Sequence, residues 1–163
     1  MSLKVKLVRM TALRGLHNMA DYRRLVNAAA PLAGLDATQD GVISIVLVTA
    51  ARMARLNATH LRHEGTTDVI TYDWRGQDTY GLVDRPPLAE IFICPQVARE
   101  YACQLGTTPS HELLLYAVHG LLHLAGEDDL DDVSRRSMRA AESRVLAALV
   151  ARFGPLPLFL TEK

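Results

Sequence analysis

The chain has 163 residues, of which 49% are hydrophobic, and its 18 basic side chains balance its 18 acidic ones. This length and composition suit one compact domain with a single core, and the zero net charge excludes the strongly basic signature of many nucleic-acid-binding domains. The sequence begins without a hydrophobic signal region, and no apolar run approaches the roughly 18 residues of a membrane span, so we expect a cytoplasmic protein without a membrane partner.

Hydrophobic periodicity divides the chain into strands and helices. The alternation of Leu3, Val5 and Leu7 with two lysines predicts a half-buried strand. In chain order the predicted elements are a strand over residues 3–7, a helix over 19–33, a strand over 42–48, a helix over 49–57, strands over 68–72 and 89–94, and helices over 95–105, 110–125 and 131–153. This order predicts the α+β class, with one domain over residues 1–163 and a mixed four-stranded sheet packed with about five helices.

The segments between these elements are expected to be irregular. Residues 59–66 and 75–87 are polar and contain glycine, which predicts loops, and the second is long enough to be a functional lid. Residues 155–163 follow the last helix and begin with proline, so we expect a C-terminal tail. Cys94 and Cys103 match no metal or redox spacing and are expected to be buried free thiols in a reducing compartment.

Charge is unevenly distributed along the chain. Arg52, Arg55 and Arg62 make one stretch basic, and five acidic residues crowd into positions 127–132. The simplest interpretation of each stretch is a solvated surface. Because the chain as a whole is neutral, any site for a polyanion must depend on such local charge.

The most informative motif is a pair of histidines in an apolar, helix-forming run. His119 and His123 are four residues apart, so their imidazoles lie on one face of a helix and can bind one metal ion. A glycine three residues later is the usual place for a helix to end and the chain to turn. The chain can then return Asp129, or else Glu127 or Asp128, as a third ligand. Two histidines, one carboxylate and an open fourth position form the ligand set of a hydrolytic zinc site.

A purely structural role for the histidines also stays open, because histidines on apolar helices are more often core residues than ligands. Burying two imidazoles is costly, however, unless their nitrogens find partners. Gly120 costs about 1 kcal/mol relative to alanine inside a helix, which the close approach of another backbone or of a substrate would explain. The spacing is similar to that of metzincin proteases, but the glutamate that follows their first histidine is Gly120 here, which argues against peptide hydrolysis.

Three separated motifs carry a family resemblance. They are His-Gly-Leu-Leu-His-Leu-Ala-Gly-Glu-Asp-Asp at 119–129, Leu-Asn at 56–57 with Arg62 and Thr-Thr-Asp-Val-Ile-Thr-Tyr at 66–72, and Ala-Glu-Ile-Phe-Ile-Cys at 89–94. They resemble the patterns H-G-x-L-H-L-x-G-Y-D-H, L-N-x4-R with P-T-D-V-L-S-F, and G-D-I-x-I-S. These patterns are the signatures of the YbeY family of bacterial single-domain endoribonucleases and rRNA maturation factors.

The resemblance implies a fold with a metalloprotease-like (zincin-like) histidine helix, a Zn²⁺ ion held by the histidine motif, and single-stranded RNA as the substrate. It implies a role in rRNA maturation, notably at the 3′ end of 16S rRNA in the small ribosomal subunit, and in ribosome quality control, with no DNA partner. Arg62 falls at the position of the family's functional arginine and is the catalytic candidate. The metal-ligand candidates are His119, His123 and Asp129. The candidates for RNA binding are Arg52, Arg55 and Asp68.

The departures from the family pattern concentrate at the third ligand. The family's third histidine is Asp129 here, and its tyrosine two positions earlier is Glu127. A carboxylate can bind zinc, but its charge makes a coordinated water less acidic and admits harder cations such as Mn²⁺ or Mg²⁺. Two other functions therefore stay open. One is a ribosome-assembly factor that binds RNA without cutting it, and the other is a metal-dependent hydrolase of another class, such as a protease.

Overall fold

A mixed four-stranded sheet forms the centre of the fold. The structure is a computed structural model that describes residues 2–61, 68–77 and 86–163. In chain order its elements are β1 (Leu3–Arg9), α1 (Met19–Leu32), β2 (Gly41–Leu47), α2 (Ala50–Leu56) with a following π-helical turn (Asn57–Leu61), β3 (Val69–Asp73), β4 (Ala89–Ile93), α3 (Pro95–Leu105), α4 (Pro109–Leu124) and α5 (Asp132–Phe153). The predicted α+β class, with four strands and five helices over the described ranges, is confirmed.

The strand order in the sheet is β1-β2-β4-β3. Strand β2 pairs in parallel with both β1 and β4, and β3 runs antiparallel to β4 at the edge. Ile45 in β2 lies opposite Leu7 on one side and Ile91 on the other, so its buried side chain has neighbours in both adjacent strands. The edge strand β3 lies beside α4, the helix that carries both histidines.

The two faces of the sheet bury separate cores. One face carries Ile43, Ile45 and Ile91 into the main core, where α1, α4 and α5 also place their buried side chains. The opposite face carries Ile70 into a smaller core with Met53 of α2. Helices α2 and α4 therefore lie on opposite faces of the sheet. Within the described ranges, no helix is both long and apolar enough to cross a membrane.

Local sequence determines where α4 begins and ends. The Thr108 side chain caps the first turn by accepting a hydrogen bond from a backbone N–H three residues later, at 3.1 Å. At the other end Gly126 has a φ of +104°, a conformation that favours glycine. The N–H of Gly126 donates to the carbonyl of His123, and the N–H of Glu127 donates to that of Leu122, both at 3.0 Å. This pattern of a Schellman motif turns the chain back directly after the second histidine.

Two expectations about single segments were wrong. Residues 59–61, which the sequence predicted to be a loop, belong to the π-helical turn, and residues 62–67 lie outside the described part of the chain. Cys94 is a buried free thiol as expected, but Cys103 is exposed. Ala102 lies on the buried face of α3, and successive residues of a helix point about 100° apart. Cys103 therefore points away from the buried face.

The segment after α5 is packed, unlike a solvated tail. Residues 155–163 form no helix or further strand, as the sequence predicted, but Phe159 and Leu160 are buried. The Ser110 hydroxyl accepts hydrogen bonds from the N–H groups of Phe159 and Leu160, at 2.9 and 3.1 Å. The ring of Phe159 packs edge-on against Tyr22 with centroids 5.2 Å apart. This segment therefore closes the main core next to the start of α4.

Candidate metal centre

The two histidines of α4 converge on one point. Their rings are T-shaped with centroids 4.5 Å apart, and the Nε2 atoms of His119 and His123 are 2.9 Å apart. The side chains are 20% and 30% exposed, so the pair lies at the wall of a cleft and not in the sealed core. The spacing of four residues thus places both imidazoles on one helix face, as the sequence predicted.

The other ring nitrogen of each histidine has an oxygen partner. The Nδ1 atom of His119 is 2.7 Å from a carboxylate oxygen of Glu142 on α5, and the Nδ1 atom of His123 is 3.0 Å from the backbone carbonyl of Glu127. A carbonyl oxygen only accepts hydrogen bonds, so we assign the proton of neutral His123 to Nδ1. The same assignment for His119 leaves both Nε2 lone pairs directed into the cleft. This arrangement of outer oxygen partners is typical of metal-binding histidines.

Asp129 completes the group. Its Oδ2 atom lies 3.6 Å from the Nε2 atom of His119, and its Oδ1 atom lies 3.8 Å from the Nε2 atom of His123. One ligand atom from each of the three residues lies within 4.8 Å of the others. Of the three acids that the sequence left open, Asp129 alone faces both histidines in the described structure. The Glu127 side chain contacts Ser137, and the Asp128 side chain accepts from the N–H of Leu130.

The separations fit a small divalent cation. Zinc–ligand bonds of about 2.0–2.1 Å at tetrahedral angles place two donor atoms about 3.3 Å apart, and the three separations of 2.9, 3.6 and 3.8 Å bracket this value. Two unprotonated Nε2 lone pairs 2.9 Å apart also repel each other unless a proton or a cation lies between them. The donor set therefore suits a metal ion.

The electrostatic environment favours positive charge at this point. Burial favours the neutral imidazole of His119, but the hydrogen bond that His119 donates to Glu142 and the negative charges of Glu142 and Asp129 outweigh it. The pKa of His119 is consequently raised above its ordinary value. The same carboxylates that favour a proton on this imidazole favour a cation beside it.

Two cavities meet at His119 and Asp129. The first, of 440 Å³, lies towards β3 and the end of α4, and includes Thr71, Asp73 and Leu124 in its lining. The second, of 180 Å³, lies towards α5. Both are lined by the same three polar residues, namely Asp68, His119 and Asp129. A bound substrate can therefore reach the histidine–carboxylate group from two sides.

The structure brings only some of the predicted site residues together. Asp68 lines both cavities, and its role in binding a substrate stays a prediction. Arg52 and Arg55 lie exposed on α2, on the opposite face of the sheet from α4, and line neither cavity. Arg62 lies outside the described residues, and the expected lid over 75–87 falls partly outside them, at residues 78–85.

Two contacts at the site were not predicted from the sequence. Glu142, 23 residues from His119, holds that imidazole by its Nδ1 atom. Arg75 donates to the carbonyl of Leu124 at 2.6 Å and pairs with Asp73 at 2.6 Å, so it joins the end of β3 to the end of the histidine helix. No local sequence pattern marks either contact.

Gly120 has a packing explanation. A Cβ atom at this position would lie 2.7 Å from Cγ2 and 3.0 Å from Cδ1 of Ile91 in β4. The sequence had suggested the approach of another backbone or of a substrate, but the neighbour is a side chain of the sheet. The glycine lets α4 pack closely on β4 and thereby fixes the depth of His119 and His123 in the fold.

The fold and this site define an α+β protein with a histidine–carboxylate group that can hold a divalent metal ion. The family model described as "Endoribonuclease YbeY" matches residues 14–150. The chain therefore belongs to the YbeY family.

Relatives and a solved structure agree with this assignment. The chain is 34% identical over 117 residues to endoribonuclease YbeY of Micrococcus luteus, which covers 70% of this chain and 74% of the relative. It is 34% identical over 113 residues to endoribonuclease YbeY of Elusimicrobium minutum, covering 69% and 78%. The solution structure of the Thermotoga maritima protein TM1509 superposes with a TM-score of 0.59 at 22% identity, covering 93% of this chain and 91% of the other, which shows the shared fold.

Proposed function

We propose that this chain is a metal-dependent endoribonuclease that cleaves single-stranded RNA. The observation that carries the proposal is the convergence of His119, His123 and Asp129 where two cavities meet. Family membership supports the choice of RNA, because the relatives in Micrococcus luteus and Elusimicrobium minutum are named endoribonuclease.

The described side chains take distinct roles in this proposal. A divalent cation held by His119, His123 and Asp129 would polarise a phosphate and lower the pKa of a coordinated water, which hydrolysis near neutral pH requires. Glu142 keeps the Nε2 atom of His119 free for coordination by holding its Nδ1 proton. Asp68 lines both cavities and would accept hydrogen bonds from ribose hydroxyls of the bound strand.

The arginines named from the sequence enter as further proposals. Arg62 would stabilise negative charge on the phosphate in the transition state through paired hydrogen bonds. Arg52 and Arg55 lie on the far face of the sheet from the histidines, so they would contact only RNA that extends beyond the cleft. Their removal should weaken binding without changing the rate of the bound complex.

We propose zinc as the resident metal, with Mn²⁺ or Mg²⁺ as competitors. Two imidazole nitrogens favour zinc, whereas the carboxylate of Asp129 adds an oxygen ligand and a negative charge that harder cations tolerate well. Replacing Asp129 with histidine should raise the preference for zinc over manganese. Comparison of zinc and manganese affinities in the two proteins by isothermal titration tests this point, and equal preferences would contradict it.

The substrate that we propose is ribosomal RNA in the cytoplasm. By the resemblance of the motifs, the chain acts in rRNA maturation, including the 3′ end of 16S rRNA, and in quality control of the small ribosomal subunit. Depletion of the protein in its host should leave extended 3′ ends on 16S rRNA, measurable by mapping RNA ends. Mature 3′ ends after depletion would remove this role and leave the nuclease activity open.

The nuclease proposal is tested by incubating the purified protein with single-stranded rRNA fragments and with casein. We expect RNA cleavage that a chelator stops and that a divalent metal restores, with casein intact. His119→Ala should abolish cleavage, whereas His111→Ala, at the start of the same helix and away from both cavities, should not. RNA that stays intact with every divalent metal would rule out the nuclease.

A factor that binds RNA without cutting it is the second candidate. It is favoured by the three carboxylates of Asp68, Asp73 and Asp129 in the lining of the first cavity, because they oppose the approach of a scissile phosphate to the histidines. It predicts RNA binding that survives Asp129→Ala together with the absence of cleavage. A protease is disfavoured because even a Cβ atom at position 120 would meet Ile91, so this position has no room for a general base.

A further inference from the structure

The two cavities at the histidines differ in charge. Among the described residues that line the first cavity, the charged side chains besides the histidines are Asp68, Asp73 and Asp129. The lining of the second cavity includes two arginines of α5, Arg135 and Arg139. Three carboxylates line each cavity, so within the described ranges of the chain the arginines are what distinguishes the charge of the second cavity from that of the first.

The two arginines are one helical turn apart but differ in their contacts. Arg135 pairs with Asp132 and directs its guanidinium to the backbone carbonyls of Asp129 and Leu130, at 3.4 and 3.5 Å. It thus holds the loop that carries Asp129. Arg139 is exposed and, within the described part of the chain, forms no hydrogen bond or ion pair with another residue. Its guanidinium is available to an external anion.

The rest of the second cavity suits a phosphate group held at its rim. Leu115 and the buried Met138 supply an apolar wall, and Glu142 is already hydrogen-bonded to His119. Arginine binds phosphate oxygens in pairs through its planar fork of N–H donors. The first cavity, with apolar Val69, Ile70 and Leu124 beside its carboxylates, suits an uncharged nucleoside better.

We propose that the second cavity is a phosphate subsite in which Arg139 binds the RNA phosphate next to the scissile one, while the first cavity receives a nucleoside. The proposal rests on the nuclease function proposed above. In this arrangement the RNA strand passes over the histidine–carboxylate group, with its nucleoside near the edge strand β3 and its neighbouring phosphate near α5. It also explains how an acidic metal group can accept a polyanion, because Arg139 offsets part of the charge that Asp129 adds.

The test is binding of a fluorescent single-stranded oligoribonucleotide, measured by anisotropy in a buffer whose chelator stops cleavage. Arg139→Ala should weaken binding by about tenfold, which corresponds to the loss of one charge-assisted hydrogen bond. The slope of log affinity against log salt should flatten by about 0.7, which is the change for one lost phosphate contact on a single strand. Arg139→Lys should retain the slope.

Arg136→Ala is the matched control, because Arg136 is exposed on the same helix and lines neither cavity. It removes the same charge and should leave affinity nearly unchanged. A second arm replaces one RNA phosphate at a time with an uncharged methylphosphonate. At one position beside the cleaved bond, the methylphosphonate should lower the RNA affinity of the wild type about tenfold and leave the affinity of Arg139→Ala unchanged.

Each outcome decides the proposal. Equal losses in Arg139→Ala and Arg136→Ala would indicate diffuse attraction to a basic helix and overturn the subsite. Unchanged binding in Arg139→Ala would also overturn it, while chelator-sensitive cleavage by the wild type would leave the nuclease function intact. If the wild type neither binds nor cleaves RNA, the proposed function fails and the subsite fails with it.

Discussion

The effect of Gly120→Ala on the free energy of unfolding should depend on the residue at position 91. We expect the substitution to destabilise the native protein and to stabilise a variant that lacks the Ile91 side chain. In the native sequence the new Cβ atom would lie 2.7, 3.0 and 3.2 Å from Cγ2, Cδ1 and Cγ1 of Ile91. Overpacking of a buried site costs roughly 1–3 kcal/mol, and alanine gains about 1 kcal/mol over glycine in a helix. The net expectation is a destabilisation of about 0–2 kcal/mol. Because Ile91 is fully buried in a central strand, it cannot move aside easily.

The matched background is Ile91→Ala, which removes all three atoms that the new Cβ would meet. Ile91→Ala alone should cost about 2–5 kcal/mol, but adding Gly120→Ala to it should then stabilise the protein by about 1 kcal/mol. The four proteins form a double-mutant cycle, measured by urea unfolding. Each 1 kcal/mol corresponds to about 2–4 °C in Tm for a chain of this size. If Gly120→Ala has the same effect in both backgrounds, close packing against Ile91 is not the reason for the glycine.

Three further predictions concern contacts outside the ligand group. Glu142→Ala should weaken metal binding by about 10- to 100-fold, with Glu142→Gln intermediate, in a competition with a chromogenic chelator; equal affinity in all three proteins would contradict the role of Glu142 in holding His119. Arg75→Ala should cost about 1 kcal/mol or less at neutral pH, because both partners are partly exposed. The hydrogen bond from Arg75 lowers the pKa of Asp73, so the stabilisation from this pair is present above the unfolded-state pKa and is lost as the pH falls through the folded-state pKa. The hydrogen bond from Arg75 to the Leu124 carbonyl does not titrate. Urea unfolding at neutral and acidic pH should therefore show a smaller cost of Arg75→Ala in acid, and a cost of the same size at both pH values would refute the role of Asp73. Phe159→Ala should lower the free energy of unfolding by about 3–5 kcal/mol, whereas Leu158→Ala, at a half-exposed neighbour, should lower it far less. Calorimetry checks this difference, and equal Tm values for the two variants would show that the C-terminal segment adds nothing to the core.

The elements that the sequence predicted well depend on local patterns. Leu3, Val5 and Leu7 alternate over a strand, and a continuous apolar run surrounds the two histidines of α4. Their separation of four residues suffices to place both rings on one helix face, whatever the rest of the fold does. The sequence left the third metal ligand open among Glu127, Asp128 and Asp129. These acids follow one another after the turn at Gly126, and the exact path of that turn decides which one reaches the histidines.

The features that sequence reasoning missed depend on long-range packing. Glu142 meets His119 only because α5 packs beside α4, and Arg75 meets Leu124 only because β3 lies at the edge of the sheet next to that helix. The packed C-terminal segment did carry a signal, since residues 156–160 are mostly apolar, which is unusual for a solvated tail. The exposure of Cys103 follows from the helical phase set by Ala102.

We propose that one metal ion at His119, His123 and Asp129 makes this chain an endoribonuclease. The most direct measurement is the rate of single-stranded RNA cleavage by metal-stripped protein as zinc or manganese is added back in steps. We predict that the rate rises in proportion to bound metal, levels off at one ion per chain, and stays at background in His119→Ala. Cleavage that needs no metal, or that proceeds equally in His119→Ala, would contradict a catalytic metal ion at these residues.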